Sequence, residues 1–561
     1  MCREIGAFPS AAVRPPAAIG WALLAAGLAF PWLMPIHARP WTGFHADALM
    51  VAVVLAVLVA VAVRTRGPWA FPGVSVVLVG LSVVPLLQYL GGLVFFAADA
   101  FLASAYLFGF ALTIALGTRI EAFWPGRLAP VVFASFGVAA LLSFAIALNQ
   151  WLGVDQWRAF TLQVATGGRA VANVGQPNEL ATLYVWALLA FWWAFHRGVV
   201  RGWLVLAVAI LLLFGLAMTQ SRMGVIAVSA VAAVALVHPR ALRTRGQRLL
   251  VLALFLWFLG CLAGWGELNV WLQLGSPRVV SERLVPGTRL LHWQLLWDAV
   301  LQRPLAGWGW QQVGVAQSAL AVAHPATGEV IRSSHNVVLD LLVWNGLPLG
   351  LLLAAAIGIW YFAQWRGART AAQIVVLAIL SVFLWHSLVE QPHFSAAFLA
   401  PVGLLVGVLS VTEASVEGKT RWRAREGVVV LAIAATALCV ALVVRDYFRI
   451  ECAWMAERLR AARIGSLVPA PLPDTPTLGH LREVLELGRV EPRAGMSERE
   501  IEAMRRLTYR LPGQVGMLKL ARAQAMNGEV REAGMTLERL CKTHPKSVCE
   551  RVREAWSRGS R

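Results

Sequence analysis

The chain has 561 residues, of which 58% are hydrophobic and only 14% are charged, and its formal net charge is +19. With a mean hydropathy of +0.66, this composition lies far outside the range of soluble domains. The basic excess could indicate a nucleic-acid-binding protein. The placement of the basic residues, however, argues against nucleic acid as a partner.

Apolar runs of about 20 residues recur along the chain, and each is long enough to cross a hydrocarbon core roughly 30 Å thick. We therefore predict an all-α polytopic membrane protein with about 13 transmembrane helices. The predicted spans are 17–36, 46–63, 72–90, 93–117, 128–150, 180–196, 202–218, 223–237, 249–265, 337–363, 371–389, 394–412 and 427–445.

Basic residues in the short loops between these spans are strongly biased to one side. If the N-terminus is cytoplasmic, the inner set is Arg3, Arg14, Arg64, Arg66, Arg119, Arg127, Arg197, Arg201, Arg240, Arg243, Arg245, Arg248, Arg366, Arg369, Lys419, Arg421, Arg423 and Arg425. The outer set is only Arg39, Arg158, Arg169 and Arg222. Lys and Arg favour the cytoplasmic side, so this bias predicts a cytoplasmic N-terminus and an outward C-terminal tail.

Two domains follow from this arrangement: a transmembrane domain over 1–445, with a long outer loop at 266–336, and an outer helical domain over 446–561. No cleavable signal peptide is predicted, because the first apolar run contains prolines and lacks a small-residue cleavage site. Within the long loop, the spacing predicts an amphipathic helix over Arg289–Gln302 that lies in the membrane interface.

The C-terminal tail contains the spacing of one tetratricopeptide-like helical pair, which would have to pack on flanking helices or on a partner. The residues are Ala521, Gly528, Ala533, Leu537, Leu540 and Pro545. Cys541 and Cys549 lie close together in this tail, where a disulfide is permitted but not required. The other cysteines, Cys2, Cys261, Cys439 and Cys452, are scattered and are interpreted as structural.

Four polar clusters fall at span ends on the outer side. They are Gln176-Pro177-Asn178-Glu179, Thr219-Gln220-Ser221-Arg222, Ser333-Ser334-His335-Asn336 and Glu390-Gln391-Pro392-His393, and the long loop adds Arg289 and His292. Each has a structural explanation when taken alone: a helix cap, a snorkelling arginine or a satisfied interfacial histidine. All four clusters, however, lie on the outer side of the membrane, whereas the inner loops are rich in Arg. This common placement favours one functional cavity.

The residue types in these clusters indicate a class of chemistry. No outer loop contains a paired acidic motif or a Cys/His set with metal-ligand spacing, so we predict no metal and no cofactor. Arginine binds phosphate through paired hydrogen bonds, and histidine can exchange a proton with a hydroxyl near neutral pH. Together they indicate transfer from a phosphorylated donor to an alcohol.

The chain resembles the O-antigen ligase and polymerase superfamily, and within it the bacterial O-linked oligosaccharyltransferases that glycosylate pilins and other exported proteins. The resemblance covers about Val171 to Leu409 and includes the helical tail. The residues that carry it are Gly175-Gln176-Pro177-Asn178-Glu179-Leu180-Ala181, Gln220-Ser221-Arg222, Arg289 with Trp293, Pro304-x-x-Gly307-x-Gly309, Ser334-His335-Asn336 and His386-Ser387-Leu388-Val389-Glu390-x-Pro392.

This resemblance implies a GT-C-like ligase core in the bacterial inner membrane. It also implies metal-free transfer of a preassembled glycan from undecaprenyl-pyrophosphate to a Ser or Thr hydroxyl of an exported, pilin-like protein, on the periplasmic face. His335 would activate the acceptor, Arg222 and Arg289 would hold the pyrophosphate, and Gln176 would be an essential polar contact. The remaining expected substrate-binding residues are Asn178, Asn336 and Glu390. The subgroup often has Glu-Tyr-Pro where this chain has Glu390-Gln391-Pro392, so no role of that Tyr is transferred.

Three alternatives remain open at this point. An O-antigen ligase acting on lipid A core and an O-antigen polymerase would keep the donor and change the acceptor. A secondary transporter for an anionic substrate would also use Arg and His, but it predicts polar residues near span centres and inverted repeats, and the sequence shows neither.

Overall fold

The computed structural model describes residues 14–237, 244–274, 287–417, 422–466 and 468–559. Cys2, Arg3, Arg240, Arg243, Lys419, Arg421 and part of the long loop lie outside the described residues. The helices in chain order are α1 Ala18–Ala29, α2 Phe44–Arg64, α3 Gly73–Leu81, α4 Val84–Leu90, α5 Ala97–Phe123, α6 Leu128–Leu152, α7 Pro177–His196, α8 Gly202–Thr219, α9 Arg222–Val237, α10 Arg245–Ala263, α11 Trp265–Trp271, α12 Arg289–Gln302, α13 Val313–Leu320, α14 Val337–Gly367, α15 Ala371–Ser387, α16 Ala396–Glu417, α17 Glu426–Ala461, α18 Gly479–Arg489, α19 Glu498–Arg510, α20 Gln514–Met526, α21 Val530–Thr543 and α22 Lys546–Gly559.

The mostly helical fold confirms an all-α polytopic membrane protein. Within the described ranges, eight helical segments are long and apolar enough to cross a membrane, and further apolar helices are shorter. The number 13 stays a prediction. Two strands, β1 Trp69–Phe71 and β2 Trp422–Ala424, form a small antiparallel pair among loops predicted to be on the inner side.

Some predicted spans are interrupted where proline removes a helical hydrogen bond. The first continues from α1 into a 3-10 turn, Phe30–Leu33, that contains Pro31. The third is divided into α3 and α4 at Ser82 and Val83, with Pro85 in the first turn of α4.

The core of the membrane domain is built around close contact between α5 and α16. A Cβ atom on Gly117 would lie 2.4 Å from the carbonyl oxygen of Leu404, and one on Gly407 would lie 2.4 Å from that of Ile114. Small residues allow helix backbones to approach in this way, and in lipid such packing stabilises helix pairs. This contact fixes α16, and therefore the loop that precedes it, which carries Glu390.

The Pro304–Gly309 motif packs against a break in α14. Gly346 has φ +74, and Pro348 follows it. The amide of Leu347 donates to the carbonyl of Pro304 at 2.7 Å, and the amide of Trp308 donates to that of Val343 at 2.7 Å. These bonds attach the end of α12 to α14, so Arg289 at the start of α12 is held beside the residues that precede α14.

Helices α18 to α22 form the C-terminal helical domain. In it, α20 and α21 pack as a hairpin around Gly528, which has φ +88. Assignment of this hairpin as tetratricopeptide-like stays a prediction, and so does the domain boundary, since residue 446 falls inside the continuous helix α17. Cys541 and Cys549 form a disulfide.

The C-terminal helical domain packs directly on the membrane domain and on the long loop. Arg510 donates through Nε to Asp99 at 2.7 Å and through a second nitrogen at 2.9 Å, and both side chains are buried. The hydroxyl of Ser318 donates to the carbonyl of Tyr509 at 3.0 Å. The segment that leads into His335 is therefore held between the two domains.

Candidate active site

The polar clusters converge on the carboxylate of Glu390, which accepts hydrogen bonds from several of them. Its carboxylate forms an ion pair with Arg289 and accepts a hydrogen bond from Nδ1 of His335 at 2.9 Å. It also accepts from the side-chain amide of Asn178 at 2.7 Å and more weakly from that of Gln176 at 3.4 Å. Four of the other six predicted site residues thus contact the carboxyl group of Glu390.

The Glu390 carboxylate lies in the loop between α15 and α16 with only 3% of the side chain exposed. Burial by itself would raise its pKa, but the hydrogen bond from His335 and the charge of Arg289 outweigh burial and lower the pKa from 4.5 to about 2. The group is therefore ionised at neutral pH and can hold its donors in fixed positions.

The backbone around His335 is supported by Asp340, one turn into α14. The carboxylate of Asp340 accepts from the hydroxyl of Ser333 at 2.6 Å and from the amide of Ser334 at 2.7 Å. His335 itself has φ +56, a left-handed conformation that is uncommon for residues other than glycine. Trp293 of α12 adds a hydrogen bond to the carbonyl of Ser334 at 2.8 Å.

Asn336 occupies the N-cap of α14. Its side-chain oxygen accepts from the amides of Val338 at 3.0 Å and Leu339 at 3.2 Å. This oxygen satisfies amides that have no partner within the helix. The predicted contact between Asn336 and substrate stays a prediction, and the structure gives this side chain a capping role beside His335.

The cluster at Thr219–Arg222 joins the site through Asn178. The hydroxyl of Ser221 donates to the side-chain oxygen of Asn178 at 2.6 Å, and Arg169 approaches the same oxygen at 3.3 Å. Arg222 follows Ser221 directly as the first residue of α9 and is exposed. Its place in the chain, directly after Ser221, sets Arg222 beside the part of the site that contains Asn178, whereas Arg289 is paired with Glu390.

Several contributing residues were not among the predicted site residues. Asp340 and Arg169 bond directly to the clusters, and Nε2 of His37 donates to the carbonyl of Asn173, two residues before Gly175, at 2.9 Å. Four residues before Glu390, Nδ1 of His386 pairs with the hydroxyl of Thr182 at 2.8 Å. A charged residue in the first turn of an apolar span was a usable signal for Asp340, but the others depend on tertiary contacts.

The arrangement can perform acid–base chemistry at a hydroxyl. With Nδ1 of His335 donating to an ionised carboxylate, the neutral ring carries its lone pair on Nε2. The His335 side chain is 28% exposed, so an incoming hydroxyl can reach it. Among the described residues, no group of three or more His, Cys, Asp and Glu side chains is placed to hold a metal ion.

Comparison with known proteins agrees with this class of chemistry. A family model described as "O-Antigen ligase" matches residues 207–354, and one described as "Virulence factor membrane-bound polymerase, C-terminal" matches 374–558. These matches cover α12 with Arg289, the His335 segment, the Glu390 loop and most of the C-terminal helical domain.

Two curated relatives from Acinetobacter baylyi identify the subgroup. The chain is 31% identical over 404 residues to a general O-oligosaccharyltransferase, covering 69% of each protein. It is 27% identical over 324 residues to a ComP-specific O-oligosaccharyltransferase, covering 58% of this chain and 59% of the relative. The chain belongs to the bacterial O-oligosaccharyltransferase subgroup of the O-antigen ligase superfamily, and it is a multi-pass membrane glycosyltransferase.

Proposed function

We propose that this enzyme transfers a preassembled oligosaccharide from undecaprenyl-pyrophosphate to Ser or Thr hydroxyls of exported proteins such as pilin. Transfer takes place without a metal on the periplasmic face of the inner membrane, with the N-terminus in the cytoplasm. The names of both curated relatives support a protein acceptor, and the Arg and His residues at the site support a phosphorylated donor.

The observation that carries the proposal is the hydrogen bond between His335 and Glu390. In the proposed step, Nε2 of His335 takes the proton of the acceptor hydroxyl while the hydroxyl oxygen attacks the anomeric carbon of the glycan. The bond from that carbon to the phosphate oxygen breaks, and undecaprenyl-pyrophosphate leaves with the electron pair. Glu390 stabilises the imidazolium that forms, as an orienting carboxylate does for a general base.

The arginines supply charge for the leaving group. Arg222 is exposed at the start of α9, and Arg289 is paired with Glu390, which also accepts from Asn178. Arg222 and Arg289 hold the pyrophosphate in this proposal, and Gln176, Asn178 and Asn336 position donor or acceptor groups. Positive charge at the departing phosphates stabilises the transition state more than the ground state.

The test is glycoprotein formation by His335→Ala in cells that supply a lipid-linked glycan and a candidate pilin. His324→Ala is the matched control, since His324 lies in the same loop and pairs with Asp298 at 3.4 Å, away from Glu390. We expect His335→Ala to abolish glycosylation and His324→Ala to retain it. Glycosylation by His335→Ala at the control level would refute the proposed role.

The proposed orientation has its own test. Single cysteines at positions 176, 335 and 500, in a chain without other reactive cysteines, should react with a membrane-impermeant thiol reagent from the periplasm. Labelling of any one of them only after the cytoplasmic side is exposed would contradict the topology.

An O-antigen ligase acting on lipid A core is the second candidate, because the family model that matches residues 207–354 is described as "O-Antigen ligase". Supplying the same lipid-linked glycan with either a pilin or a lipid A-core acceptor distinguishes the two. Transfer to lipid A core alone would favour the ligase.

A further inference from the structure

Two arginines stand at the outer rim of the site without a role in the proposed reaction. Arg39 and Arg332 are both exposed, and neither makes a hydrogen bond or close ion pair with another residue in the ranges that the structure describes. Arg39 is one of few basic residues in the short loops predicted to face outward. Two arginines near the site without a counter-ion need a physical explanation.

Arg332 is placed by well-ordered neighbours. The amide of Ile331 donates to the side chain of Gln317 at 3.0 Å, and the hydroxyl of Ser333 donates to Asp340. His335 is only three residues further along the chain. Three residues span at most about 10 Å, so a group bound at Arg332 lies close to a hydroxyl at His335.

Arg39 belongs to the segment between α1 and α2, which contacts the residues before α7. The ring of His37 bonds to the carbonyl of Asn173 at 2.9 Å, and a Cβ atom on Gly175 would lie 2.6 Å from that ring. The segment therefore packs against the residues that precede Gln176. Beyond His37, the carbonyl of Ala38 accepts from the hydroxyl of Tyr447 at 3.4 Å, and Tyr447 packs in one apolar cluster with Leu478. Arg39 is therefore held beside the start of α18, and its charge also acts on Arg332.

The charges around Arg332 are mostly of the same sign. Although Arg332 keeps contact with solvent, desolvation by the surrounding protein is the first cause of its lowered pKa. The positive charges of Arg510 and Arg39 lower the pKa further, and Asp99 opposes them. Asp99 is already committed to two hydrogen bonds from Arg510. Like charges at short range are unfavourable unless a counter-charge is present, so the pair Arg39 and Arg332 suits an anionic group.

A cleft beside this pair indicates where the anion would come from. It has a volume of about 360 Å³ and lies between the residues before α5 and helices α18 and α19, with Phe95, Phe96, His480, Glu483 and Arg506 in its lining. A Cβ atom on Gly314 would lie 3.2 Å from the carbonyl oxygen of Arg510 and 3.4 Å from that of Ile331. Arg510 in turn bonds to Asp99, the residue after Ala98 in the lining of the cleft, so the cleft reaches the surroundings of Arg332.

The lining favours a polypeptide. Aromatic rings stand next to charges of both signs, whereas a prenyl chain would need a continuous apolar wall and a pyrophosphate a purely cationic one. One wall is formed by α18 and α19 of the C-terminal helical domain, which is predicted to lie outside the membrane spans.

We propose that Arg39 and Arg332 form an anion subsite for a carboxylate of the acceptor polypeptide, which occupies the cleft and presents its Ser or Thr hydroxyl to His335. This inference rests on the proposed function, since it assigns the selection of acceptors to that same site. It places the preferred acidic residue within about three residues of the modified hydroxyl.

The experiment uses the purified full-length enzyme, a lipid-linked glycan and two synthetic peptides with a single Ser. The peptides are identical except for Asp or Asn two residues after the Ser. The wild-type enzyme should modify the Asp peptide with roughly fivefold higher kcat/KM, the size expected for a partly exposed ion pair. Arg39→Gln and Arg332→Gln should each reduce this ratio, and the double variant should bring it close to one.

Arg551→Gln is the matched control, because Arg551 is an exposed arginine of α22, a helix that contributes no residue to the lining of the cleft, and it should keep the wild-type ratio. High salt should lower the ratio for the wild type as well. A double variant that keeps the preference for Asp would overturn the subsite, and so would a wild-type enzyme that modifies both peptides equally.

The remaining outcomes are also decisive. If the double variant loses activity on both peptides equally while the KM for the lipid-linked glycan rises, the two arginines bind the donor phosphate, and the acceptor subsite is wrong. If the wild-type enzyme modifies neither peptide nor a candidate pilin, the proposed function itself fails.

Discussion

Nδ1 of His335 and the carboxylate of Glu390 are joined by a hydrogen bond of 2.9 Å, although the two residues are 55 positions apart in the chain. The bond connects the start of α14 to the loop between α15 and α16. It fixes both the orientation and the tautomer of the ring, so the lone pair is on Nε2. Activity should therefore depend on the carboxylate as much as on the histidine.

Glu390→Gln tests this dependence. The amide keeps the size of the side chain but removes the charge that stabilises the imidazolium, and it leaves Arg289 without its counter-ion. We expect kcat to fall by about 10²–10⁴-fold, the usual contribution of general acid–base catalysis, with a smaller change in KM. Glycan transfer to a fixed acceptor measures both constants, and Glu491→Gln on the exposed surface is the control. Near-normal kcat in Glu390→Gln would contradict the proposed role of the carboxylate.

Acid should destabilise the enzyme through the same group. The pKa of Glu390 is lowered from 4.5 to about 2, so its contribution to stability is complete above about pH 4.5 and is lost as the pH falls towards 2. The wild-type melting temperature should consequently fall more steeply across this window than that of Glu390→Gln. Thermal unfolding in detergent at closely spaced pH values measures the difference, and parallel curves would show that the carboxylate does not have this lowered pKa.

Much of this architecture could be predicted from the sequence. Apolar runs gave the membrane class, and the position of polar residues at span ends on one side predicted a common cavity. The structure brings these residues together through Glu390, with Ser221 and Asn178 joining the cluster before α9. Their roles in binding and catalysis stay predictions.

Other features could not be predicted, because they depend on which distant segments meet. The sequence does not indicate that His37 packs against Gly175 or that Arg169 reaches Asn178, since neither contact follows from helical or strand spacing. The break in α14 at Gly346 was also missed, as a long apolar run predicts a continuous helix. Only the packing of Pro304 and Leu305 against it explains the glycine.

Asp340 should support the active site without touching substrate. Its fully buried carboxylate holds the hydroxyl of Ser333 and the amide of Ser334. Asp340→Ala would leave both donors without a partner, at a cost of about 1–3 kcal/mol per buried group, whereas Asp340→Asn can still accept one of them. We expect a lower melting temperature and a lower kcat for Asp340→Ala, with Asp340→Asn intermediate. Equal stability of Asp340→Ala and wild type would show that the segment does not depend on this carboxylate.

Gly307→Ala should disrupt the attachment of α12 to α14. Gly307 has φ +68, and a Cβ atom there would lie 2.6 Å from both the amide nitrogen of Gly346 and the carbonyl oxygen of Val343. Backbone strain and steric overlap both oppose the substitution, so we expect the free energy of unfolding to fall by at least about 2 kcal/mol. We also expect weaker glycan transfer, because Arg289 lies on the displaced helix. Gly358→Ala in the same α14 is the matched control, since no atom lies within 4 Å of a Cβ there and alanine favours a helix. Thermal unfolding and transfer assays on the two variants check this difference. If Gly307→Ala proved as stable and active as Gly358→Ala, the Pro304–Gly309 segment would not be what positions Arg289 against Glu390.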